Sequence, residues 1–159
     1  MEGLIDAIAA QIPYLVTGEV VVVDSDALML GETTILLFGL DSIDRGQFCR
    51  IEGKMWECHA VAVRELEMIS SLGTVICEVL SERDVYRRVL GTCSIDGLDL
   101  GEMLVRSGFA VARPDETDAY VAAEEAARAG GVGLWRSDFV LPADYRVLNL
   151  ITETRPEPF

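Results

Sequence analysis

Three β-forming runs packed into residues 17–40 constrain this chain more than any other feature. TGEVVVVD (17–24) is rich in β-branched residues and reads as a strand. Residues 27–30 continue as a second short strand, and GET (31–33) reads as a hairpin turn. TILLFGL (34–40) is a third strand, apolar enough to be buried on both faces. The three make a meander, and four acids, Asp24, Asp26, Asp41 and Asp44, stand at the ends of its runs. Acids in such places have an ordinary reading as turn residues whose carboxylates accept nearby backbone N–H groups. Four of them in one meander also raise the question of a cation site.

The rest of the chain extends the pattern. Residues 54–72 show helical spacing, with Trp56, Ala60, Val63, Leu66 and Ile69 on one broad face and Gly73 as a stop. Residues 74–80 form a fourth strand and 85–94 a fifth, joined by the turn SERD. Helices follow over 98–107, ended by Gly108, and over 115–129, opened by acids that suit the positive end of the helix dipole. Residues 1–16 form an amphipathic lead-in, and the proline-punctuated tail 137–159 is expected to be irregular. The order of three strands, a helix, two strands and two helices predicts an α+β, mainly β domain over residues 17–136. Its architecture is a five-stranded Greek-key OB-fold barrel with three helices, the first inserted between strands three and four.

Charge narrows the partners. There are 27 acids against 13 bases, a net of −14, and Lys54 is the only lysine. Proteins that grip nucleic acid present Lys and Arg to displace counterions from phosphates. Nucleic acid is therefore expected as a partner only through a local basic pocket, and a protein or another ligand stays open. No apolar run reaches the roughly 20 residues needed to cross a bilayer. The N-terminus lacks a basic stretch and carries Glu2 and Asp6, so it does not read as a signal peptide. Cys49, Cys58, Cys77 and Cys93 form no C-x-x-C, which argues against zinc. Three pairings, and four free thiols, remain open at this point.

Five segments in register resemble the staphylococcal-nuclease-like family across residues 18–146. VVDSDAL is similar to its V-x-D-G-D-T-hydrophobic, LLFGLDSID to R-L-x-G-I-D-(A/T)-P-E, and DVYRRVLGTC to D-x-Y-G-R-x-hydrophobic. GLDLGEMLVRSGFA is similar to the segment around its second helix. ARAGGVGLWRSDFVLPADYR is similar to its closing A-(R/K)-x-x-x-x-G-(I/L)-W and the F-x-x-P-x-x-(W/Y)-R that often follows. The resemblance implies calcium-dependent cleavage of phosphodiesters. Two aspartates and a backbone carbonyl hold the cation, a glutamate orients or deprotonates water, and two arginines clamp the phosphate.

Carried over by position, Asp26, Asp41 and the carbonyl of Ser42 match the calcium ligands, and Asp24 matches the outer aspartate. Asp44 stands for the general-base glutamate, one methylene shorter, which draws the carboxylate back by about 1.3–1.5 Å. A displacement of about 1 Å can cost on the order of 100-fold in rate. Arg88 matches one clamp arginine, with Arg87 in the adjoining glycine slot and Tyr86 beside it, while Leu36 replaces the other clamp arginine. Losing one such donor costs about 100- to 1,000-fold. Ile43 replaces a proline, Ser25 a glycine and Ala27 a threonine of the family pattern.

Arg45, Arg50 and Arg87 are the candidate substitutes for the lost arginine, against an ordinary reading as solvated surface charges. His59, the only histidine, reads as a helix-surface residue, Trp135 as a core plug of the third helix, and Tyr120 as packing. If the fourth and fifth strands pair around their turn, Cys77 and Cys93 fall nearly opposite, within disulfide range. Together with the cysteine placement of exported family members, this favours Cys49–Cys58 and Cys77–Cys93. Paired cysteines imply an exported or periplasmic location and a leader outside this chain; free ones imply the cytoplasm. Two functions are carried forward. One is a domain with lost or strongly weakened calcium-dependent phosphodiesterase activity and a binding role. The other is an active calcium-dependent nuclease with a compensated site.

Overall fold

A computed structural model describes residues 11–153. Its sheet is built from β1 (Tyr14–Thr17), β2 (Val20–Asp24), β3 (Ala27–Leu30), β4 (Thr33–Leu37), β8 (Val75–Val79) and β9 (Arg88–Ile95), in the order β1-β8-β9-β4-β3-β2. The β4–β9 pair is parallel and the others are antiparallel, so the meander β2–β3–β4 is joined to the hairpin β8–β9 through one parallel seam. The sheet curls into a half-barrel of OB type, and the mixed α+β, mainly β class follows.

Several boundaries move from the sequence reading. The first β run is two strands, because Gly18 breaks it: its φ is +151°, and a Cβ there would lie 2.9 Å from the Gly31 nitrogen. The strand β1 also begins inside the segment assigned as a lead-in, where it pairs with β8. The amphipathic lead-in over residues 1–10 lies outside the described residues. The apolar run ending at Leu40 is cut by a turn, and a short β5 (Leu40–Ser42) leaves the main sheet to pair with β11 (Ala110–Ala112).

The segment expected to start the first helix forms a hairpin instead, β6 (Cys49–Ile51) with β7 (Lys54–Trp56). Helix α1 (Cys58–Ser70) then buries Cys58, Ala62, Leu66 and Ile69, a face offset from the one expected. The short β10 (Leu98–Asp99) extends β9 and leads into α2 (Leu100–Arg106), whose N-cap Asp99 accepts from the Glu102 N–H at 3.0 Å. Helix α3 (Val121–Gly130) ends at Gly131 in the left-handed region, and a 3-10 turn (Gly133–Arg136) follows. The core is apolar and continuous, with Leu28, Leu30, Ile35, Leu66, Val79, Val89, Leu100, Leu104 and Leu134 all buried.

The tail corrects the expectation most. A helix α4, Pro142–Glu153, replaces irregular chain, which makes four α-helices among the described residues rather than three. Pro142 sits at the first helical position, where its missing N–H is not needed and its fixed φ suits the helix. The same proline reads in the sequence as punctuation. The tail is tied down by Arg50 and Asp138, which exchange backbone hydrogen bonds of 2.9 and 2.7 Å, and by the Gln47 amide donating to the Val140 carbonyl. Among the described residues no helix is long and apolar enough to cross a membrane.

Candidate functional site: an acidic cluster closed by an arginine

The meander brings the four acids together. Asp24 ends β2 next to a bulge, Asp26 precedes β3, Asp41 lies within β5 and Asp44 follows it. Ser25, standing in a family glycine position, donates its hydroxyl to the Ile43 carbonyl at 2.9 Å and is buried. That bond stitches the Asp24–Asp26 turn to the Asp41–Asp44 loop. Ser42 is fixed from the other side, its hydroxyl donating to the Phe109 carbonyl at 2.7 Å while its backbone pairs with Ala110. Asp41 is buried and accepts from the Ser42 N–H at 3.0 Å, and Asp24 accepts from the Ser25 N–H at 2.8 Å.

Like charges this close raise one another's proton affinity. Asp26 is pushed up to about 6, first by burial and then by the charges of Asp24, Asp41 and Asp44. Burial also acts on Asp24. It is outweighed by the hydrogen bond with His59, by the Ser25 N–H and by the charge of Arg45, which leave Asp24 below the usual carboxylate range. His59 is thus no helix-surface residue: its ring Nε2 lies 2.7 Å from the Asp24 carboxylate, and its side chain is 15% exposed. Position on the first turn of α1 brings it over the meander, and residue spacing alone did not reveal that.

The second unexpected partner comes from α4. Arg146 donates Nη1 to Asp41 Oδ1 at 3.2 Å and to Asp44 Oδ2 at 2.9 Å, and Nη2 to Asp41 Oδ2. Its guanidinium therefore spans the inner aspartate and the residue in the general-base position. The Asp41 bonds above all, and the charges of both acids, hold Arg146 protonated well above the ordinary arginine range. Burial raises the Asp44 carboxyl; Arg146 opposes this, but Asp41 and Asp24 add to it, and the group stays above the usual range. The only sequence signal for Arg146 is its place at the end of FVLPADYR, a motif that carries a resemblance without assigning a role.

As this chain holds them, the acids have Arg146 where a cation would sit against Asp41. A hard cation wants several oxygen ligands converging on one point. Here both carboxylate oxygens of Asp41 already bind a guanidinium, so a cation must displace Arg146 to reach them.

The remaining site residues are dispersed. Leu36 sits on β4 between its partners Ala27 and Leu90, an apolar side chain where the clamp arginine would be. Arg88 turns to its own loop: its Nε donates to Asp84 at 3.0 Å, its guanidinium lies 5.1 Å from the Tyr86 ring, and Tyr86 is exposed. Arg87 has φ of +64°, so it holds the left-handed conformation that a glycine takes without cost. Arg45 is exposed and acts on Asp24 through its charge. Arg50 is exposed and engages the tail through its backbone.

The cysteines pair as Cys49–Cys58 and Cys77–Cys93; the second pair is directly opposite in the β8–β9 register. Tyr120 is buried and donates its hydroxyl to Asp99 at 3.0 Å, tying α3 to the start of α2. Trp135 is only half-buried. It packs edge-on against Phe139 at 5.1 Å, lies under the Arg128 guanidinium at 4.8 Å, and lines a cavity rather than plugging the core.

Residues 59–137 match the family described as staphylococcal nuclease homologue. The chain is also 31% identical over 126 residues to the succinoglycan biosynthesis protein ExoI of Rhizobium meliloti (strain 1021). That alignment takes in 77% of this chain and 65% of that protein, so the chain spans about 65% of the relative's length. The family match begins at His59, downstream of all four acids, and includes Arg87 and Arg88. The half-barrel and its parallel seam agree with that match, and residues 59–137 are a staphylococcal nuclease-like domain segment.

Proposed function

We propose that this chain is a staphylococcal-nuclease-like domain in which calcium-dependent phosphodiesterase activity is lost or strongly weakened, and that its role is binding. The observation that carries this reading is Arg146, whose guanidinium lies across Asp41 and Asp44. Phosphodiester cleavage by this fold needs a cation, an oriented water and two guanidiniums converging on one phosphorus. Here one guanidinium is replaced by Leu36, the other is held by Asp84, and the carboxylate that would orient water is shortened and bonded to Arg146. Each loss alone is worth about two to three orders of magnitude in rate, though such effects need not add. The net charge of −14 also repels a polyanionic substrate.

An oxidising compartment is part of the proposal, supported by the two disulfides. ExoI is named for succinoglycan biosynthesis, which makes a glycan a reasonable class of ligand for this chain as well.

The second reading, an active nuclease, draws on the same arginine. Arg146 beside Asp44 is a positive group at the general-base position, in a chain where Leu36 stands for one clamp arginine, and a phosphate would compete with Asp44 for it. Incubation of purified protein with denatured DNA and with RNA, in calcium and then in chelator, separates the two. The proposal expects no calcium-dependent cleavage above that of an Asp26→Ala, Asp41→Ala control. Chelator-sensitive cleavage absent from the control would establish the nuclease and send the argument to Arg146 as a substitute clamp.

A further inference from the structure

A cavity of about 700 Å³ opens beside Asp41, between β11, α3 and the tail. Its size falls within the range of small-molecule sites. Four separate pieces of chain build it: Asp41 on β5, the continuous segment from Val111 on β11 to Asp115, the α3 face at Glu124 and Arg128, and the tail between Trp135 and Ala143. The tail is what closes it, so it is a feature of the extension beyond the barrel.

Its polar groups are held in place before any ligand arrives. Glu124 accepts from the Ala112 N–H at 3.0 Å and lies 3.8 Å from Arg128. Arg113 is braced by Asp115 and Glu116, each at 3.1 Å. Arg128 lies over the Trp135 ring, and Phe139 meets that ring edge-on. The lining therefore combines an aromatic wall, apolar side chains such as Val111 and Leu141, and carboxylates of which some are paired with guanidiniums. Each of these charged groups keeps hydrogen-bonding capacity after its partner is counted.

That combination selects a ligand class. The acids Asp115, Glu124 and Asp138 outnumber the arginines Arg113 and Arg128, and Asp41 is occupied by Arg146. A phosphate or another strong anion meets net repulsion here. A purely apolar ligand would strip water from five charged groups with nothing in return. A neutral ring with one C–H face and several hydroxyls satisfies both halves: the face packs on the aromatic wall, and the hydroxyls donate to carboxylates and accept from guanidiniums. We propose that this cavity binds one or two units of a neutral saccharide. The inference rests on the binding half of the function proposed above and is independent of whether catalysis survives.

The test uses the full chain with Trp56→Phe, which leaves Trp135 as the only indole, titrated with glucose, galactose, cellobiose and lactose into the tens of millimolar. The proposal expects a saturable change in Trp135 emission with at least one sugar. It also expects saturable amide shifts confined to residues 111–115, 124–128 and 135–143 in the ¹H–¹⁵N spectrum of the unmodified protein. Glu124→Gln keeps the side chain's shape and should weaken that binding roughly 10-fold, since a hydrogen bond to a charged acceptor becomes one to a neutral acceptor. Silence in both readouts with all four sugars overturns the proposal, as does saturable binding of thymidine monophosphate at these residues with the sugars silent. Calcium-dependent cleavage of DNA would overturn the reading of lost catalysis and leave this titration unaffected, so the two failures are distinguishable.

Discussion

Replacing Arg146 by methionine keeps the aliphatic stem and removes the guanidinium, leaving Asp41 and Asp44 beside Asp24 and Asp26 with no cation between them. The size of the effect follows from exposure. The Asp41 side chain is 9% exposed, Asp44 32% and Arg146 44%. Breaking a fully buried pair costs about 3–5 kcal/mol, and an exposed pair is worth about 0–1 kcal/mol. With one partner buried and the other nearly half in solvent, the loss should be about 2 kcal/mol. For a chain of this size that corresponds to a fall in melting temperature of about 4–8 °C. Urea denaturation at pH 7 and low ionic strength measures it, in a cycle of Arg146→Met, Asp41→Asn and the double variant. The coupling energy between the two sites should approach the same value, because Asp41→Asn removes the charge that makes the single arginine variant costly. Added salt should reduce the coupling only in part, since Asp41 is shielded from counterions. A coupling below about 0.5 kcal/mol would show that the guanidinium does not sit on Asp41 in solution, and the account of the closed acidic cluster would fail.

Other consequences are open to measurement. Asp26 is raised in the fold to about 6 from 3.8, so its ionisation opposes folding. The penalty is absent below about pH 4, grows as pH rises to about 6 and is complete above it, reaching at most about 3 kcal/mol. Asp26→Asn should therefore stabilise the protein at pH 7 and gain little at pH 4, as read by urea unfolding at the two pH values; an equal effect at both would contradict the shift. Replacing Cys77 and Cys93 by alanine opens a disulfide with a sequence separation of 16, and should cost about 3 kcal/mol in the same assay. Arg87→Gly should raise stability by up to about 1 kcal/mol, because glycine takes the positive φ without penalty. A loss of stability there would mean that the arginine side chain has a compensating contact.

The strands and helices were legible because their signals are local. β-branched runs, a hairpin turn and the 3.6-residue spacing of a helix do not depend on what lies across the fold; the barrel that joins them was carried by the family resemblance, because its β4–β9 seam pairs Thr34 with Arg88 far along the chain. The boundaries that moved have tertiary causes. Gly18 divides a continuous β run because the backbone at Gly31 approaches it. Residues Lys54–Trp56 pair with Cys49–Ile51 rather than opening the helix whose spacing they fit. Pro142 starts a helix in a segment where prolines looked like interruptions. The acids were found as a group because all four lie within residues 24–44, at the ends of neighbouring β runs. Their partners were not, because His59 reaches Asp24 across 35 positions and Arg146 reaches Asp41 across 105, and no periodicity encodes such a contact.

The central claim is that the acidic cluster has its own cation in Arg146 and does not take calcium in its place. Thermal unfolding of the wild-type protein with and without millimolar calcium tests this most directly, because a ligand that binds the folded state alone raises the melting temperature with its concentration. The account predicts the same melting temperature in calcium and in chelator. A saturable rise in calcium, lost in the Asp26→Ala, Asp41→Ala variant, would show that the metal displaces Arg146 and would contradict it.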